Sequence, residues 1–252
     1  MEYNKISVVI NTYNAEKHLD KVLEKLTEFD EIVICDMEST DRTLEIARKY
    51  NCKIVTFPKG NYNICEPARN FAIRSASNDW VLVVDADELI PDTLRKYLYD
   101  YVSGDNPEEA LNIPRINMFL GKEIEGTPDY QLRFFRKDLV DWPPIIHVNP
   151  HVNCKIRNLK RQTELSIHHL DDASISSRIS KLNNYSDYEV PKRTHKKYGY
   201  FKIFVRPIWF FWKNYIFGKG YKNGKRGLIN SYMASMYQIA LLAKITEREI
   251  TK

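Results

Sequence analysis

The chain has 252 residues, 43% hydrophobic and 28% charged, the balance of a folded protein rather than a disordered one. That length suits one large α/β domain with an appendage, and no run of about 18 uncharged apolar residues offers a membrane-spanning helix. The net charge of +5 is unevenly placed: Val190 to Thr246 holds 12 Lys and Arg and no Asp or Glu, which leaves −7 for the rest.

Met1 to Lys5 leads straight into a strand-like segment without a secretory leader. The four cysteines show no C-x-x-C spacing, which argues against a zinc site or disulfide framework and for buried thiols in a reducing cytoplasm. Ile6 to Ile10 is a short apolar run of the kind found in buried parallel strands. Asn14 is placed to cap a helix whose Leu19, Val22, Leu23 and Leu26 share one face. Glu31 to Asp36 is the next strand, and Ser39-Thr40-Asp41 offers caps for a helix carrying Leu44, Ile46 and Ala47. Lys53 to Phe57 is a third strand, and a helix over 67–76 has proline in its first turn. Trp80 to Val84, the most apolar strand, runs into Asp85-Ala86-Asp87-Glu88. This alternation predicts a parallel sheet covered on both faces, with ligands at the carboxyl ends of its strands. Thr12, Asp36, Asp85 and Asp87 all fall at such ends.

Beyond Pro91 the pattern changes. A helix over Asp92 to Tyr101 is followed by longer strands over Leu111 to Leu120 and Tyr130 to Arg136. Ser174 to Tyr188 is helical, with Ile175, Ile179 and Leu182 on one side. Phe201 to Phe217 is strongly aromatic but interrupted by Arg206, Pro207 and Lys213, glycines punctuate 218–227, and a final helix covers Tyr232 to Ile245. Rings with basic neighbours suit an anionic membrane surface, where the rings bury and the cations meet lipid phosphates. A hydrophobic lid or a dimer interface is the other use of such a segment. No nucleic-acid recognition module accompanies the charge, so a nucleic-acid partner is not expected.

If the fourth strand persists, Asp85 and Asp87 point the same way. Two adjacent carboxylates repel unless a proton or cation lies between them. Mg²⁺ or Mn²⁺, which favour oxygen ligands and keep phosphate oxygens in their shell, suit such a pair. The other reading is that the acids favour the N-terminus of the helix starting near Pro91.

Four segments together resemble the family 2 glycosyltransferases of GT-A fold: Ser7 to Asn14, Asp36-x-x-Ser39-Thr40-Asp41-x-Thr43, Ala68-Arg69-Asn70 and Asp85-Ala86-Asp87-Glu88. The later half is similar to a narrower branch, the bacterial lipopolysaccharide core sugar transferases, in Arg133 to Arg136, Trp142 to His147, His169 followed by Lys181 and Tyr185, and the glycine-punctuated aromatic tail. The resemblance implies a Rossmann-like, mostly parallel sheet in a catalytic domain over 1–170, followed by a helical, basic and aromatic membrane-proximal region over 171–252. It further implies inverting sugar transfer from a nucleotide-diphosphate sugar, a UDP-sugar first among them, to a saccharide or lipid-linked acceptor at the cytoplasmic face of the cell membrane.

Carried onto this chain, Thr12, Tyr13 and Asp36 contact the base and ribose. Arg69 steadies Asp36 or a phosphate, Asp85 and Ala86 meet ribose or sugar, and Asp87 with His169 binds the metal. His168, next to His169, competes for that role. Arg133 can hold a phosphate or sugar carboxylate in fork geometry, or make a surface ion pair instead. Relatives commonly follow the histidine of the Trp142 region with glutamate, whereas here Val148 follows His147. That departure leaves the base that takes the acceptor proton open among His147, His151, Asp129 and Glu88. It also leaves room for a chain that binds a donor without turning it over. A sugar nucleotidyltransferase would want a glycine-rich loop after the first strand, and Asn11 to Asn14 contains no glycine.

Overall fold

A computed structural model of the chain describes residues 4–60, 65–106, 108–124, 126, 129–143, 150–171, 173–193 and 197–251. The first half alternates as the apolar runs predict: β1 (Ile6–Thr12), α1 (Glu16–Glu24), β2 (Glu31–Asp36), α2 (Thr43–Lys49), β3 (Lys53–Thr56), α3 (Glu66–Arg74) and β4 (Trp80–Asp85). The strands lie in the order β3-β2-β1-β4, all parallel. Successive side chains leave opposite faces of a strand, so each strand feeds two cores. Val8, Ile10, Ile34 and Leu82 pack with Leu19, Val22, Leu23, Leu94 and Leu98 on one face. Val9, Val33, Cys35 and Val83 pack with Ala68, Ala72 and Ile73 of α3 on the other. Burial pushes the Cys35 thiol up to about 12, as expected of an inert interior cysteine.

Next come β5 (Glu88–Leu89), α4 (Asp92–Ser103), β6 (Ala110–Phe119), β7 (Lys122–Glu123), β8 (Asp129–Arg136), β9 (Val140–Asp141), β10 (His151–Val152), β11 (Ile156–Asn158) and β12 (Ile167–His169). Of these, β8, β6, β12 and β5 extend the sheet as β4-β8-β6-β12-β5, with β8 antiparallel to both β4 and β6, while β9 and β10 pair in a separate two-stranded sheet. The second half of the sheet is therefore mixed.

One local expectation fails for a physical reason. Asn14 does not cap α1: its backbone sits at φ +48°, and its side-chain oxygen accepts from the Thr40 N–H at 2.8 Å. The start of α1 is satisfied from the neighbouring loop, where the Thr43 hydroxyl accepts from the Ala15 N–H at 2.8 Å and Asp41 Oδ2 from the Glu16 N–H at 3.1 Å. The Ser-Thr-Asp-x-Thr segment thus laces the two loops that follow β1 and β2.

The chain packs as two compact units, Met1–Ile116 with Pro128–Leu170 and Asn117–Thr127 with Asp171–Lys252. The helices of the second unit are α5 (Ile175–Glu189), α6 (Tyr200–Trp212) and α7 (Gly224–Ile250). Ser174 caps α5, its side chain accepting from the Ser177 N–H at 3.1 Å. The aromatic segment is helical despite Pro207 and continues through a single π-helical stretch, Lys213–Phe217. The final helix begins at Gly224 rather than Tyr232. Gly227 is a contact residue, not punctuation: a Cβ there would lie 1.8 Å from the Gly220 carbonyl oxygen. Among the described residues no helix is long and apolar enough to cross a membrane.

Candidate active site

The carboxyl ends of β1, β2 and β4 meet in register, Thr12 opposite Asp36 and Asn11 opposite Asp85. Asp36 is buried, and its Oδ1 accepts from the Thr12 hydroxyl at 3.0 Å and the Ser39 hydroxyl at 2.6 Å. The Ser39 N–H donates to Asp36 Oδ2 at 2.9 Å. Tyr13 is exposed, with the Lys59 ammonium 4.5 Å from its ring centroid. Asn11 Nδ2 is buried and finds no hydrogen-bond acceptor among the described residues. Such a donor, stranded beside Asp85, is costly without a partner and was not singled out in the sequence.

The acidic loop is sorted by its partners. β4 ends at Asp85, and the chain turns at Ala86 and Asp87 before β5 begins at Glu88. Asp85 is gripped by both terminal nitrogens of Arg133, and Arg69 Nη2 lies 3.9 Å from its Oδ1. Burial alone would raise Asp85, but Arg133, with Arg69 and Arg115 beyond it, holds the carboxyl well below the usual carboxylate range. Glu88 is fully buried: its Oε1 accepts from Arg133 Nη2 at 2.9 Å and its Oε2 from the Asp85 N–H at 2.9 Å. Burial pushes the Glu88 carboxyl up, and Arg133 opposes that only in part. With both oxygens committed inside the protein, Glu88 organises the loop and is not placed to take a proton from an acceptor, a correction to its candidacy as base.

Arg133 needs a second correction. It is neither a surface ion pair nor a free fork for a phosphate, because it is 3% exposed and its guanidinium is occupied by Asp85 and Glu88. Arg69 stands beside Asp85 rather than Asp36, with its guanidinium 5.0 Å from the centroid of the Trp142 ring. Asn70 braces that ring's backbone, donating to the Trp142 carbonyl and accepting from the Trp142 N–H, each at 2.8 Å.

Asp87 differs from its neighbours. Among the described residues its side chain meets no arginine or lysine; its partner is His169, with Nε2 3.2 Å from Asp87 Oδ2. The β5–β12 ladder sets this distance, with His169 opposite Glu88 and the Leu170 N–H donating to the Asp87 carbonyl at 2.7 Å. Strand alternation also separates the two histidines, since His168 Nε2 lies 3.1 Å from the Thr163 carbonyl oxygen instead. Burial disfavours a charged His169 ring, but the bond to Asp87 outweighs it and raises its pKa above the ordinary value. His169 Nδ1 is buried without a partner among the described residues. A carboxylate and an imidazole at this spacing fit two positions of a divalent shell whose other ligands are phosphate oxygens and water. Among the described residues no three His, Cys, Asp or Glu side chains form a complete metal cage.

Of the other bases considered, Asp129 pairs with Arg115 at 2.8 Å and accepts from Gln131 at 2.6 Å. His151 is exposed on β10, and His147 lies outside the described residues. Arg115, which also reaches Glu88 at 3.4 Å, escaped the sequence reading. Its signal was present only as a cross-strand pair, Arg115 opposite Asp129, which needs the β6–β8 register to be seen.

Known proteins resemble the chain in both sequence and fold. It is 25% identical over 257 residues to an uncharacterized glycosyltransferase of Rickettsia typhi, spanning 96% of this chain and 87% of that protein. It is 24% identical over 261 residues to the lipopolysaccharide core biosynthesis glycosyltransferase LpsC of Rhizobium meliloti, covering 98% and 94%. The crystal structure of S. aureus TarS superposes with a TM-score of 0.52 at 20% identity, over 74% of this chain and 39% of TarS. The fold is GT-A, as that likeness and the mixed sheet indicate. The Glycosyl transferase family 2 model matches residues 7–181, from β1 through the acidic loop and His169 into α5. With the matched span containing every strand end that builds this site, the chain is a member of the family 2 glycosyltransferases.

Proposed function

We propose that this glycosyltransferase moves a sugar, with inversion, from a nucleotide-diphosphate donor to a saccharide or lipid-linked acceptor of the cell envelope. The donor is a UDP-sugar, and the work is done at the cytoplasmic, anionic face of the cell membrane. The carrying observation is that Asp87, which among the described residues meets no arginine, faces His169 at 3.2 Å. The likeness to LpsC, whose name places it in lipopolysaccharide core biosynthesis, supports an envelope acceptor.

In this reading Thr12, Tyr13 and Asp36 bind the base and ribose, and the stranded Asn11 amide donates to the donor nucleotide. Asp85 and Ala86 meet the ribose or sugar. Arg133, Arg69 and Glu88 work through Asp85, fixing its carboxylate so that no side chain need reorganise when the donor arrives. Asp87 and His169 would hold Mg²⁺ or Mn²⁺, whose charge would neutralise the diphosphate as its bond to the sugar breaks. The acceptor proton passes to His147 or His151, since Asp129 is held by Arg115.

Incubation with a panel of nucleotide-sugars and Mn²⁺ tests the reading. Release of nucleoside diphosphate, with a product of inverted anomeric configuration, is expected. Tight donor binding without diphosphate release would sink it in favour of a silent binding protein. Pyrophosphate release from a nucleoside triphosphate and a sugar phosphate would turn it into a nucleotidyltransferase.

A further inference from the structure

The second unit carries an apolar surface that is exposed among the described residues. On α6 the exposed large side chains recur as Phe201, Phe204, Ile208 and Trp212, a spacing that keeps them on one narrow stripe. Phe201 and Phe204 are 79% and 72% exposed, well beyond ordinary scattered surface apolars. On α7 the exposed residues Ile229, Tyr232, Met236 and Ile239 follow the same periodicity. The two stripes lie side by side, because Phe211, beside the first, meets Tyr232, in the second, with ring centroids 4.8 Å apart.

Charge is what selects the occupant. Lys202 and Lys213 flank the α6 stripe, Lys225 extends the α7 stripe by one turn, and Lys219 sits in the connection between the helices, all four exposed. The sequence from Val190 to Thr246 contains no Asp or Glu. A second copy of this face would bring lysines against lysines, whereas a protein interior has no place for so many cations. Rings on a flat stripe, with ammonium groups along its edge, match the boundary between acyl chains and anionic headgroups. Among the described residues no helix is both long and apolar enough to cross a membrane, and the 13 residues of α6 reach only about 20 Å against a hydrocarbon core of about 30 Å.

We infer that the α6–α7 pair lies in the plane of an anionic bilayer, with Phe201, Phe204, Ile208 and Trp212 inserted at headgroup depth and the surrounding lysines on lipid phosphates. This names the docking element for the membrane setting proposed above and rests on that setting. It does not depend on the transfer chemistry.

The test uses the full chain and vesicles of phosphatidylcholine alone or with roughly a third phosphatidylglycerol, at low and high salt. Binding to the anionic vesicles is expected, falling as salt rises, with a blue shift of tryptophan emission. That shift should vanish in a Trp209→Phe/Trp212→Phe variant, which keeps Trp80 and Trp142. Lys202→Glu/Lys213→Glu should weaken the partition by at least about 25-fold, taking roughly fivefold for each lysine removed. Phe201→Glu/Phe204→Glu should weaken it by at least about tenfold by removing the buried apolar area. Equal indifference to both vesicle types overturns the inference. So does vesicle binding that these variants leave intact, or a dimer in sedimentation that Phe204→Glu dissociates. Diphosphate release by the vesicle-blind variants separates the two readings: if it persists the transfer proposal stands without the docking, and if vesicle binding is intact in a chain that never releases diphosphate, only the transfer proposal falls.

Discussion

In the first unit Phe134 and Phe135 are fully buried, Trp80 stacks on Phe134 with ring centroids 5.0 Å apart, and Arg133, just before them in the sequence, is locked onto two carboxylates. In the second, Phe201, Phe204 and Trp209 face outward, with lysines beside them and no acid within reach in the sequence. The residue types are the same; the satisfaction is opposite. Rings and cations in the first unit are answered by the chain itself, which makes a site rigid before any ligand arrives. In the second, Phe201 and Phe204 are turned to solvent. Rigid compensation is what chemistry requires of the acidic loop, and an unanswered face is what a docking surface requires.

The comparison breaks hardest at Asp87, which among the described residues meets His169 and neither arginine nor lysine. Asp87→Ala should lower turnover by about 10³-fold or more, equivalent to several kcal/mol of lost transition-state stabilisation, while the fold survives. Retained turnover with unchanged Mn²⁺ dependence would remove Asp87 from the metal. Arg133→Met comes next and should strike stability first. It leaves Asp85 and Glu88 without their buried counter-charge, and the expected loss is about 3–5 kcal/mol by denaturant unfolding. Adding Glu88→Gln should recover part of that loss, because the two sites share one network. A loss below about 1 kcal/mol would mean that the network is not what holds the loop.

How much of this was legible beforehand follows the same division. Apolar runs and their period gave the four parallel strands and the helices between them, since buried strands and amphipathic helices write themselves into neighbouring residues. Thr12, Asp36 and Asp85 were placed at one edge because a parallel sheet brings carboxyl ends together whatever its loops do. The partners of Arg133 were not legible. They depend on β8 lying antiparallel beside β4, a pairing between residues about fifty apart that no local pattern encodes. The role of Asn14 is hidden for a related reason: its side chain is an equally good acceptor for a neighbouring loop, and only the tertiary arrangement decides which N–H it meets. Glycines near 224 were read as a break because glycine weakens isolated helices, whereas here contact with the Gly220 backbone repays that weakness.

That last point supplies a test inside the second unit, which is compensated in its own interior even though its outer face is not. Gly227→Val should cost about 1–3 kcal/mol, since the added carbons must displace backbone rather than a flexible side chain. A neutral effect on the melting temperature would show that the two segments are not pressed together. A smaller effect is expected where the first unit satisfies a helix start from its neighbour. Asp41→Ala should cost about 1 kcal/mol, the usual worth of a cap. Although burial works against it, hydrogen bonds from Thr43 and from the Glu16 and Thr43 N–H groups hold the Asp41 carboxyl below its ordinary value. An acid so depressed contributes its stability above its unfolded pKa of about 3.9 and loses it as pH falls through the lower folded value. The gap between wild type and variant should therefore be full at neutral pH and close only in strong acid; a gap constant down to that range would show that the charge plays no part.

The smallest expected effect sharpens the comparison most. Phe134→Ala, in the interior of the first unit, should cost about 3–5 kcal/mol, because a buried ring leaves a cavity behind. Phe204→Ala, on the open face of α6, removes the same ring from contact with water instead and should stay within about 0.5 kcal/mol of wild type. Denaturant unfolding of both variants, without lipid, measures the pair. If Phe204→Ala destabilised the free chain as Phe134→Ala does, the ring would be part of a core rather than a surface waiting to be covered. A stable Phe204→Ala chain instead assigns the worth of that ring to whatever it meets outside the protein.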